Sequence, residues 1–248
     1  MPTVFVHGVP EVPSIWDELR AHTKGDTVAL RLPGFGSPRA AHLRGKDDYA
    51  AWLADELRAV EGPIDLVGHD WGGHLALRVA TASDVPIRSW VSDVVYGWYP
   101  GYVWHRIAQL WQTSDGEAAM AGARAAVPGS GGTFGDYLQP RGVSAALAGE
   151  IDATHDETMS AAILALYRSA TPNLHADWGR EITGPASIPG LVITPAADPM
   201  ADVAGDTEMA QRLGASHAVL DGLTHYWMVQ DPARGAEVLQ QFHATVSA

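Results

Sequence analysis

A single aspartate, Asp70, stands in a sequence context that would expose a reactive carboxyl group. Residues 64–67 form a short apolar run, and the sequence GHDWGG at 68–73 leads from it directly into a helix-forming segment. This order predicts a strand, a very tight turn and a helix, with Asp70 at the apex of the turn. The glycines at 68, 72 and 73 fit such a turn because the backbones crowd there and a Cβ atom would clash.

The pattern G-x-D-x-G at 68–72 resembles the G-x-S-x-G nucleophile elbow of α/β-hydrolases, with an aspartate in place of the serine. Within that superfamily it is similar to the epoxide hydrolase and haloalkane dehalogenase branch, whose nucleophile is a carboxylate. The resemblance implies an α/β-hydrolase fold and a covalent ester on Asp70. The alternative structural interpretation is that Asp70 only caps the helix, since aspartate favours N-cap positions.

A carboxylate nucleophile forms an ester that must then be hydrolysed, and hydrolysis requires a base. His225, in the sequence LTHYW just after the last predicted strand, matches the position of the catalytic histidine of α/β-hydrolases. Asp198 follows the preceding strand and would hold the imidazole in its productive tautomer. Asp202, which is expected to begin a helix, competes for this role, and Asp93, after an earlier strand, is a third candidate.

The segment HGVPE at 7–11 follows the first predicted strand and resembles the His-Gly-x-Pro motif of the same enzymes. The resemblance implies an oxyanion hole formed by the backbone N–H groups of Val9 and Trp71, which would face the carboxyl group of Asp70. Preorganised amides of this kind can lower a reaction barrier by about 3 kcal/mol. His7 and His69 are interpreted as structural histidines, because buried polar groups are normally hydrogen-bonded.

Epoxide opening also requires a donor for the emerging alkoxide, and the family supplies it from two tyrosines of a helical cap. The segment ALYRS at 165–169 resembles the Tyr-Arg pair of the last cap helix, which makes Tyr167 the expected proton donor. The early cap helix has His105 or Trp104 where the second tyrosine is expected. Either His105 is the second donor beside Tyr167, or these indole and imidazole N–H groups hold a halide ion. A pocket for a small apolar organic substrate is expected to be lined by four tryptophans: Trp71, Trp104, Trp111 and Trp227.

A haloalkane or haloacid dehalogenase that uses Asp70, His225 and Asp198 is the nearest alternative. Haloalkane dehalogenases have an asparagine at the position of Val9 to hold the halide, and fluoroacetate dehalogenases have arginines just after the nucleophile to clamp the substrate carboxylate. Neither feature occurs here, which favours epoxide hydrolysis. A hydrolase-fold binding protein with negligible turnover is a further alternative. A serine esterase is disfavoured because the turn offers no hydroxyl group.

The composition is that of one sizeable globular domain, with 248 residues, 46% hydrophobic and 18% charged. A net charge of −13 argues against nucleic acid as a partner, because phosphate contacts need a basic surface. No cysteine, signal peptide or membrane-spanning apolar run is found, so we expect a cytoplasmic protein without membrane contact. The eleven histidines lack metal-ligand spacing and no phosphate loop follows the first strand, so we expect neither a metal nor a cofactor. A homodimer is compatible with the sequence.

Short apolar runs alternate with amphipathic segments, which predicts an α/β fold with a parallel sheet and crossover helices on both faces. The sheet is expected to be shortened to about six strands: Thr3–His7, Thr27–Leu32, Ile64–Gly68, Arg88–Val95, Leu191–Thr194 and His217–Leu220. Asp47-Asp48 and Asp231-Pro232 predict the N-termini of two amphipathic helices.

The strand pattern stops between residues 98 and 180, and this segment resembles the helical cap that the family inserts into the sheet domain. We therefore expect a core domain of residues 1–97 and 181–248 and a cap domain of residues 98–180. A glycine-rich loop at 127–132 is a candidate lid hinge within the cap.

Overall fold

The computed structural model describes residues 1–246 and contains one sheet of six parallel strands. The strands are β1 (Thr3–Val6), β2 (Thr27–Leu30), β3 (Ile64–Gly68), β4 (Ile87–Ser92), β5 (Gly190–Pro195) and β6 (Ser216–Leu220). Their order across the sheet is β2-β1-β3-β4-β5-β6, and every neighbouring pair is parallel. The prediction of a shortened parallel sheet is confirmed.

The sheet interior is formed by strands that are buried over their whole length. Every residue of β1, β3 and β5 is buried, whereas the edge strands β2 and β6 are partly exposed. Helices on both faces explain why the inner strands are nearly continuous runs of apolar residues. The prediction that β4 extends to Val95 was wrong. Pairing with β3 and β5 ends at Ser92, and Val95–Trp98 form a 3-10 helix.

Twelve α-helices occur among residues 1–246: α1 (Asp17–His22), α2 (Lys46–Arg58), α3 (Trp71–Ala82), α4 (Arg106–Trp111), α5 (Gly116–Ala125), α6 (Phe134–Leu138), α7 (Ala145–Thr154), α8 (Glu157–Ser169), α9 (Trp178–Glu181), α10 (Val203–Leu213), α11 (Trp227–Gln230) and α12 (Pro232–Thr245). Further 3-10 helices span Pro13–Trp16, Gln139–Arg141 and Leu174–Ala176. None of these helices, within the described part of the chain, is both long and apolar enough to cross a bilayer.

The two helices predicted from acidic N-termini begin close to the expected residues. α2 begins at Lys46, because the carboxylate of Asp48 reaches back to accept the N–H groups of Arg44 and Gly45 at 2.7 and 3.1 Å. α12 begins at Pro232, and Asp231 caps it by accepting the N–H of Arg234. These bonds satisfy donors that a helix N-terminus leaves unpaired.

The chain between β4 and β5 is helical, and we refer to residues 98–180 as the helical segment. It contains α4 to α8 and the start of α9, and no strand is found within it. Side chains from α4, α5, α6 and α8 line a cavity together with Val9 and Asp70, which follow β1 and β3. The segment therefore covers the carboxyl ends of the central strands. Its status as a separate cap domain stays a prediction.

Replacing Gly72 with alanine is expected to destabilise the fold strongly. A Cβ atom at this position would lie 2.2 Å from the carbonyl oxygen of Val6 and 2.6 Å from that of His7. Because both obstacles are backbone atoms in or next to β1, we expect the free energy of unfolding to fall by about 3 kcal/mol. Urea denaturation measures this loss.

Gly122→Ala is the matched control for this substitution. Gly122 lies in α5, where an added Cβ atom meets nothing within 4 Å. Alanine is the better helix former, so this variant should gain about 0.5–1 kcal/mol. Equal denaturation midpoints for the two variants would contradict the close approach of α3 to β1.

Candidate active site

Asp70 lies at the tight turn between β3 and α3. Its φ of +48° is the only positive value of a non-glycine residue among residues 1–246, and such a backbone conformation is costly. The loop after β1 approaches so closely that a Cβ atom on Gly8 would lie 2.4 Å from Cβ of Asp70. The surrounding backbone thus holds the Asp70 carboxyl group in one position at the carboxyl end of the sheet.

Backbone amides face the carboxyl group of Asp70. The N–H of Val9 donates to Oδ1 at 2.8 Å, and the nearby backbone amide of Trp71 lowers the pKa of this carboxyl group. The loop that carries Val9 is fixed by the N–H of Gly8, which donates to Oε2 of Glu11 at 2.9 Å. Of the two amides predicted to form an oxyanion hole, that of Val9 donates to Asp70, and that of Trp71 favours the charged form of the same carboxyl group.

His225 and Asp198 lie on the other side of Asp70. The Nδ1 of His225 is 2.9 Å from Oδ2 of Asp198, and its Nε2 is 3.9 Å from Oδ2 of Asp70. The second oxygen of Asp198 accepts the N–H of Met200 at 2.9 Å, which fixes the carboxylate. A carboxylate that accepts the proton of Nδ1 leaves Nε2 as the basic nitrogen. His225 thus presents a base toward Asp70.

The two other candidate acids are bound elsewhere. Asp93 accepts the N–H of Asp70 at 3.0 Å and the indole N–H of Trp227 at 2.7 Å, and it lies 2.5 Å from Nδ1 of His69. Asp202 caps α10 by accepting the N–H of Gly205. Of the three aspartates, the structure brings only Asp198 into contact with the imidazole of His225.

A buried cluster of Glu11, His69 and Asp93 lies directly beneath His225, and the sequence did not reveal it. Nε2 of His69 is 2.9 Å from Oε1 of Glu11, while the ring centroids of His69 and His225 are 4.6 Å apart. Burial lowers the pKa of His69, but the carboxylates of Asp93 and Glu11 outweigh burial and raise it well above its usual value. His69 is therefore a structural cation, consistent with its interpretation from the sequence.

The described residues also contain one group whose ligand atoms are close enough together for a metal ion: Glu11, His69 and His225. Both nitrogens of His69 already contact carboxylates, and Nδ1 of His225 is held by Asp198. These nitrogens thus already face carboxylates, so the donor set does not indicate a metal centre.

The charges at Asp70 and His225 are coupled. Burial raises the pKa of Asp70 from 3.8 to about 6, although His225 and the Trp71 amide oppose this shift. Burial and the cationic His69 lower the pKa of His225. The carboxylates of Asp198 and Asp70 outweigh both effects, so the pKa lies above its usual value of 6.5. Near neutral pH the pair therefore holds an ionised Asp70 beside a readily protonated base.

An activity that uses Asp70 as its nucleophile, as the sequence predicts, is expected to fall at acidic pH, because only the ionised carboxylate can attack. Since the folded pKa of Asp70 is raised to about 6, the carboxylate is present above that pH and is lost as the pH falls through it. We expect kcat/KM to drop by about tenfold per pH unit below this point. A pH profile between 4.5 and 8 measures this, and a flat profile down to 4.5 would contradict the raised pKa.

A cavity of about 250 Å³ lies over Asp70. The sheet side contributes Val9, Pro10, Asp70, Met200, His225 and Tyr226. The helical segment contributes His105, Ile107, Leu110, Trp111, Ala119, Met120, Ala123, Gly131, Gly132, Thr133, Phe134, Tyr137 and Tyr167. The reactive groups thus form one wall, and a mainly apolar wall faces them. Such a cavity fits a small, largely apolar molecule with few polar groups.

Two hydrogen-bond donors of the helical segment reach this cavity. Burial, followed by the charge of Asp70, raises the pKa of the Tyr167 hydroxyl well above its usual value, so the hydroxyl stays protonated. Nδ1 of His105 accepts the N–H of Ala108 at 3.2 Å, and burial lowers the pKa of His105 to about 4. A neutral imidazole whose Nδ1 accepts carries its proton on Nε2. His105 is therefore an uncharged N–H donor.

Of the four tryptophans expected to line the pocket, Trp111 does so and three do not. Trp71 and Trp104 stack on each other behind Tyr167, with ring centroids 5.9 Å apart, and Trp104 donates its indole N–H to a backbone carbonyl. Trp227 is bound to Asp93. The rings of Trp71 and Trp104 pack against Tyr167, with centroids 5.3 and 5.2 Å from its ring, and so position it, whereas Trp227 is fully buried elsewhere in the core.

Tyrosines that the sequence interpretation passed over also line the cavity. Tyr137 lies in α6 with the guanidinium of Arg141 3.6 Å from its ring centroid, and Tyr226 follows His225 directly. The sequence signal for Tyr226 was its adjacency to His225. Tyr137 follows the glycine-rich loop in a segment where no motif marked it.

Comparisons with known proteins agree with this architecture. A family model described as "Alpha/beta hydrolase family" matches residues 3–238. No curated protein sequence matches the chain. Among solved structures, a mutant epoxide hydrolase from Bacillus megaterium has a TM-score of 0.78 at 18% identity, with 98% of this chain and 93% of that chain covered.

Two further solved structures have similar TM-scores and sequence identities. The Cif epoxide hydrolase from Acinetobacter nosocomialis has a TM-score of 0.73 at 20% identity, with coverage of 98% of this chain and 82% of that one. A lipase-esterase related protein from Clostridium acetobutylicum has a TM-score of 0.70 at 17% identity, with coverage of 97% and 93%. At these identities the likeness concerns the fold alone.

Proposed function

Since the chain belongs to the alpha/beta hydrolase family, we propose that it is a hydrolase that opens epoxides to diols through a covalent ester on Asp70. One observation carries the proposal: a carboxyl group stands at the strand–turn–helix apex, with the Val9 amide on one oxygen and His225 beside the other. The neutral donors Tyr167 and His105 in the same cavity favour an epoxide oxygen as the group they assist. Several solved structures of similar fold carry the name epoxide hydrolase.

In the first step, the free oxygen Oδ2 of Asp70 attacks an epoxide carbon. The carbon–oxygen bond of the ring breaks, and its electron pair goes to the departing oxygen, which takes a proton from Tyr167 with His105 as a second donor. Oδ1 becomes the carbonyl oxygen of the new ester and keeps its hydrogen bond from Val9. The amides are thus placed for the next step, in which charge develops on this oxygen.

In the second step, His225 takes a proton from water, and the resulting hydroxide attacks the carbonyl carbon of Asp70. Asp198 stabilises the imidazolium that forms. The acyl–oxygen bond of the ester breaks, the proton of the added hydroxyl group passes to the leaving oxygen, and the diol leaves with an oxygen that came from Asp70, which is again a carboxylate. Asp70 keeps the oxygen from water, and the proton on His225 returns to the Tyr167 oxygen. Atoms and protons therefore balance without a cofactor.

Assays with two substrate classes test the proposal. In one assay the purified protein is incubated with styrene oxide and the diol is measured. In the other it is incubated with 1-bromobutane and the released bromide is measured. We expect diol formation and little bromide. Hydrolysis of p-nitrophenyl acetate that phenylmethylsulfonyl fluoride abolishes would overturn the proposal in favour of a serine hydrolase.

Removal of the donors should slow ring opening specifically. We expect Tyr167→Phe and His105→Gln each to reduce the rate of ester formation by about 10²-fold, as for other lost proton donors. Rapid-quench measurement of the ester intermediate gives this rate. Tyr99→Phe, a half-buried tyrosine outside the cavity lining, is the control and should leave the rate unchanged. Unchanged rates in both donor variants would contradict the assignment of an epoxide substrate.

A dehalogenase with the same three residues is the second candidate. The indole N–H of Trp71, next to Asp70 in the chain, is buried without a hydrogen-bond partner, and such a group can hold a halide ion. A departing halide needs no proton, so bromide release should tolerate Tyr167→Phe while diol formation should not. The same two assays therefore separate the candidates.

A further inference from the structure

The glycine-rich loop at residues 127–133 forms part of the wall of the cavity over Asp70. Gly131, Gly132 and Thr133 line this cavity, opposite the reactive groups of the sheet. The first six loop residues are exposed to solvent, and the side chain of Val127 is 70% exposed. Packing of the loop's own side chains therefore contributes little to its position, and something else must hold this part of the wall in place.

One carboxylate holds the loop. Oδ1 of Asp136 accepts the N–H of Gly129 at 2.7 Å, and Oδ2 accepts the N–H groups of Gly131, Gly132 and Thr133 at 2.8, 3.1 and 3.3 Å. Hydrogen bonds to an ionised acceptor are stronger than neutral ones. Gly129 and Gly131 have φ values of +87° and +84°, so the chain wraps around the carboxylate in a conformation that glycine adopts without strain.

We propose that Asp136 is a positioning residue that determines which substrates the cavity admits, by holding the 127–133 loop against it. The substrates meant here are epoxides, so this part of the proposal rests on the function proposed above. Asp136 itself does not line the cavity, so it acts through Gly131, Gly132 and Thr133. The loop faces the same space as Ala119 and Ala123 of α5, whose short side chains leave room for the apolar part of a substrate.

Loss of the carboxylate should loosen the loop without unfolding the protein. The amides that Asp136 binds lie at an exposed site, where water can replace the lost acceptor. The N-terminus of α6 keeps the bond from the Asp136 amide to Oγ1 of Thr133, which does not involve the carboxylate. A loosened wall admits larger substituents and positions small substrates less well. The expected effect is therefore a change in selectivity rather than a uniform loss of activity.

Asp136→Ala and Asp136→Asn test the proposal, with Asp115→Ala as the matched control. Asp115 is an exposed aspartate of the helical segment whose side chain caps nothing. Hydrogen exchange of the amides at 129–133 is the direct readout, and in Asp136→Ala we expect exchange at least about tenfold faster, as for a lost local constraint. Asp136→Asn keeps one acceptor oxygen and should lie between wild type and Asp136→Ala.

Selectivity is measured as the ratio of kcat/KM for trans-stilbene oxide to that for 1,2-epoxypropane. We expect this ratio to rise by about fivefold or more in Asp136→Ala, chiefly through a lower KM for the bulky epoxide, and to stay unchanged in Asp115→Ala. Unchanged exchange in Asp136→Ala would show that the carboxylate does not hold the loop. Faster hydrogen exchange with an unchanged kcat/KM ratio would show that the loop does not control which substrates enter the cavity. Either result overturns the proposal.

Failure of the proposed function is distinguishable from failure of this proposal. If wild-type protein opens neither epoxide, the hydrogen-exchange comparison still tests the hold of Asp136 on the loop. Entry of ligands into the cavity is then measured by calorimetry, as the Kd values for two unreactive alcohols, 2-phenylethanol and 1,2-diphenylethanol. A selective gain in affinity for the larger alcohol in Asp136→Ala supports the proposal, and equal changes for both alcohols overturn it.

Discussion

Asp70→Asn should remove turnover almost completely. The amide cannot act as the nucleophile, while its shape still allows the oxygen to accept the N–H of Val9. From the losses seen when other covalent nucleophiles are removed, we expect kcat to fall by at least about 10⁴-fold. Diol formation from styrene oxide under saturating conditions measures the effect, and circular dichroism checks that the variant is folded.

Asp221→Asn is the control for this experiment, because Asp221 is an exposed aspartate at the end of β6. We expect it to retain wild-type kcat. If Asp70→Asn were to keep more than about a tenth of wild-type kcat without amide hydrolysis back to aspartate, Asp70 would be a helix-capping residue rather than the nucleophile.

His225→Gln should separate the two halves of the reaction. Ester formation depends on Asp70 and the donors in the cavity, whereas ester hydrolysis depends on the base beside Asp70. We therefore expect the variant to react once with styrene oxide and then to stop, with steady-state turnover lower by at least about 10³-fold. Intact-protein mass spectrometry should find one substrate mass added per chain.

Two comparisons make the trapping experiment decisive. His42→Gln replaces an exposed histidine and should turn over normally without accumulating an adduct. Asp198→Asn removes the partner of His225 and should slow hydrolysis without stopping it, because the imidazole itself remains. If His225→Gln formed no adduct with either an epoxide or an alkyl halide, the protein would be a hydrolase-fold binding protein.

Features encoded by contiguous residues could be predicted from the sequence. The apex position of Asp70 follows from glycines and an apolar run within a few residues of it, and the six strands follow from local apolar runs. The preference for Asp198 over Asp93 depended on chain order, and the structure places Asp198 on His225. Chain order predicts this contact because the loops that follow parallel strands meet at one edge of the sheet.

Features that depend on packing between distant residues could not be predicted. Asp93 is bound by His69 and Trp227, which lie 24 and 134 residues away in the chain, so its role was not visible in its own surroundings. For the same reason the sequence did not predict whether the side chains of Trp104 and Tyr137 face the core or the cavity. An aromatic residue in an amphipathic helix faces either the core or a cavity according to how that helix docks, and periodicity alone does not decide between them.

The raised pKa of Asp70 is likewise a consequence of the fold. An aspartate within a glycine-rich turn would be expected in solvent, but the helical segment and the loop after β1 bury it. Burial disfavours the charged form, and the nearby His225 and backbone amides restore part of its stability. The Asp70 carboxyl group, the proposed nucleophile, is thus held ionised near neutral pH in a largely desolvated site.

A single turnover in ¹⁸O-labelled water tests the central claim, that an oxygen of Asp70 becomes bonded to substrate carbon. Enzyme in excess over styrene oxide is quenched after one cycle, and the tryptic peptide of residues 59–78 is sequenced by mass spectrometry. We expect one ¹⁸O in the side chain of residue 70 and none in the diol. Label in the diol and an unlabelled residue 70 would contradict a covalent ester and indicate direct attack by water.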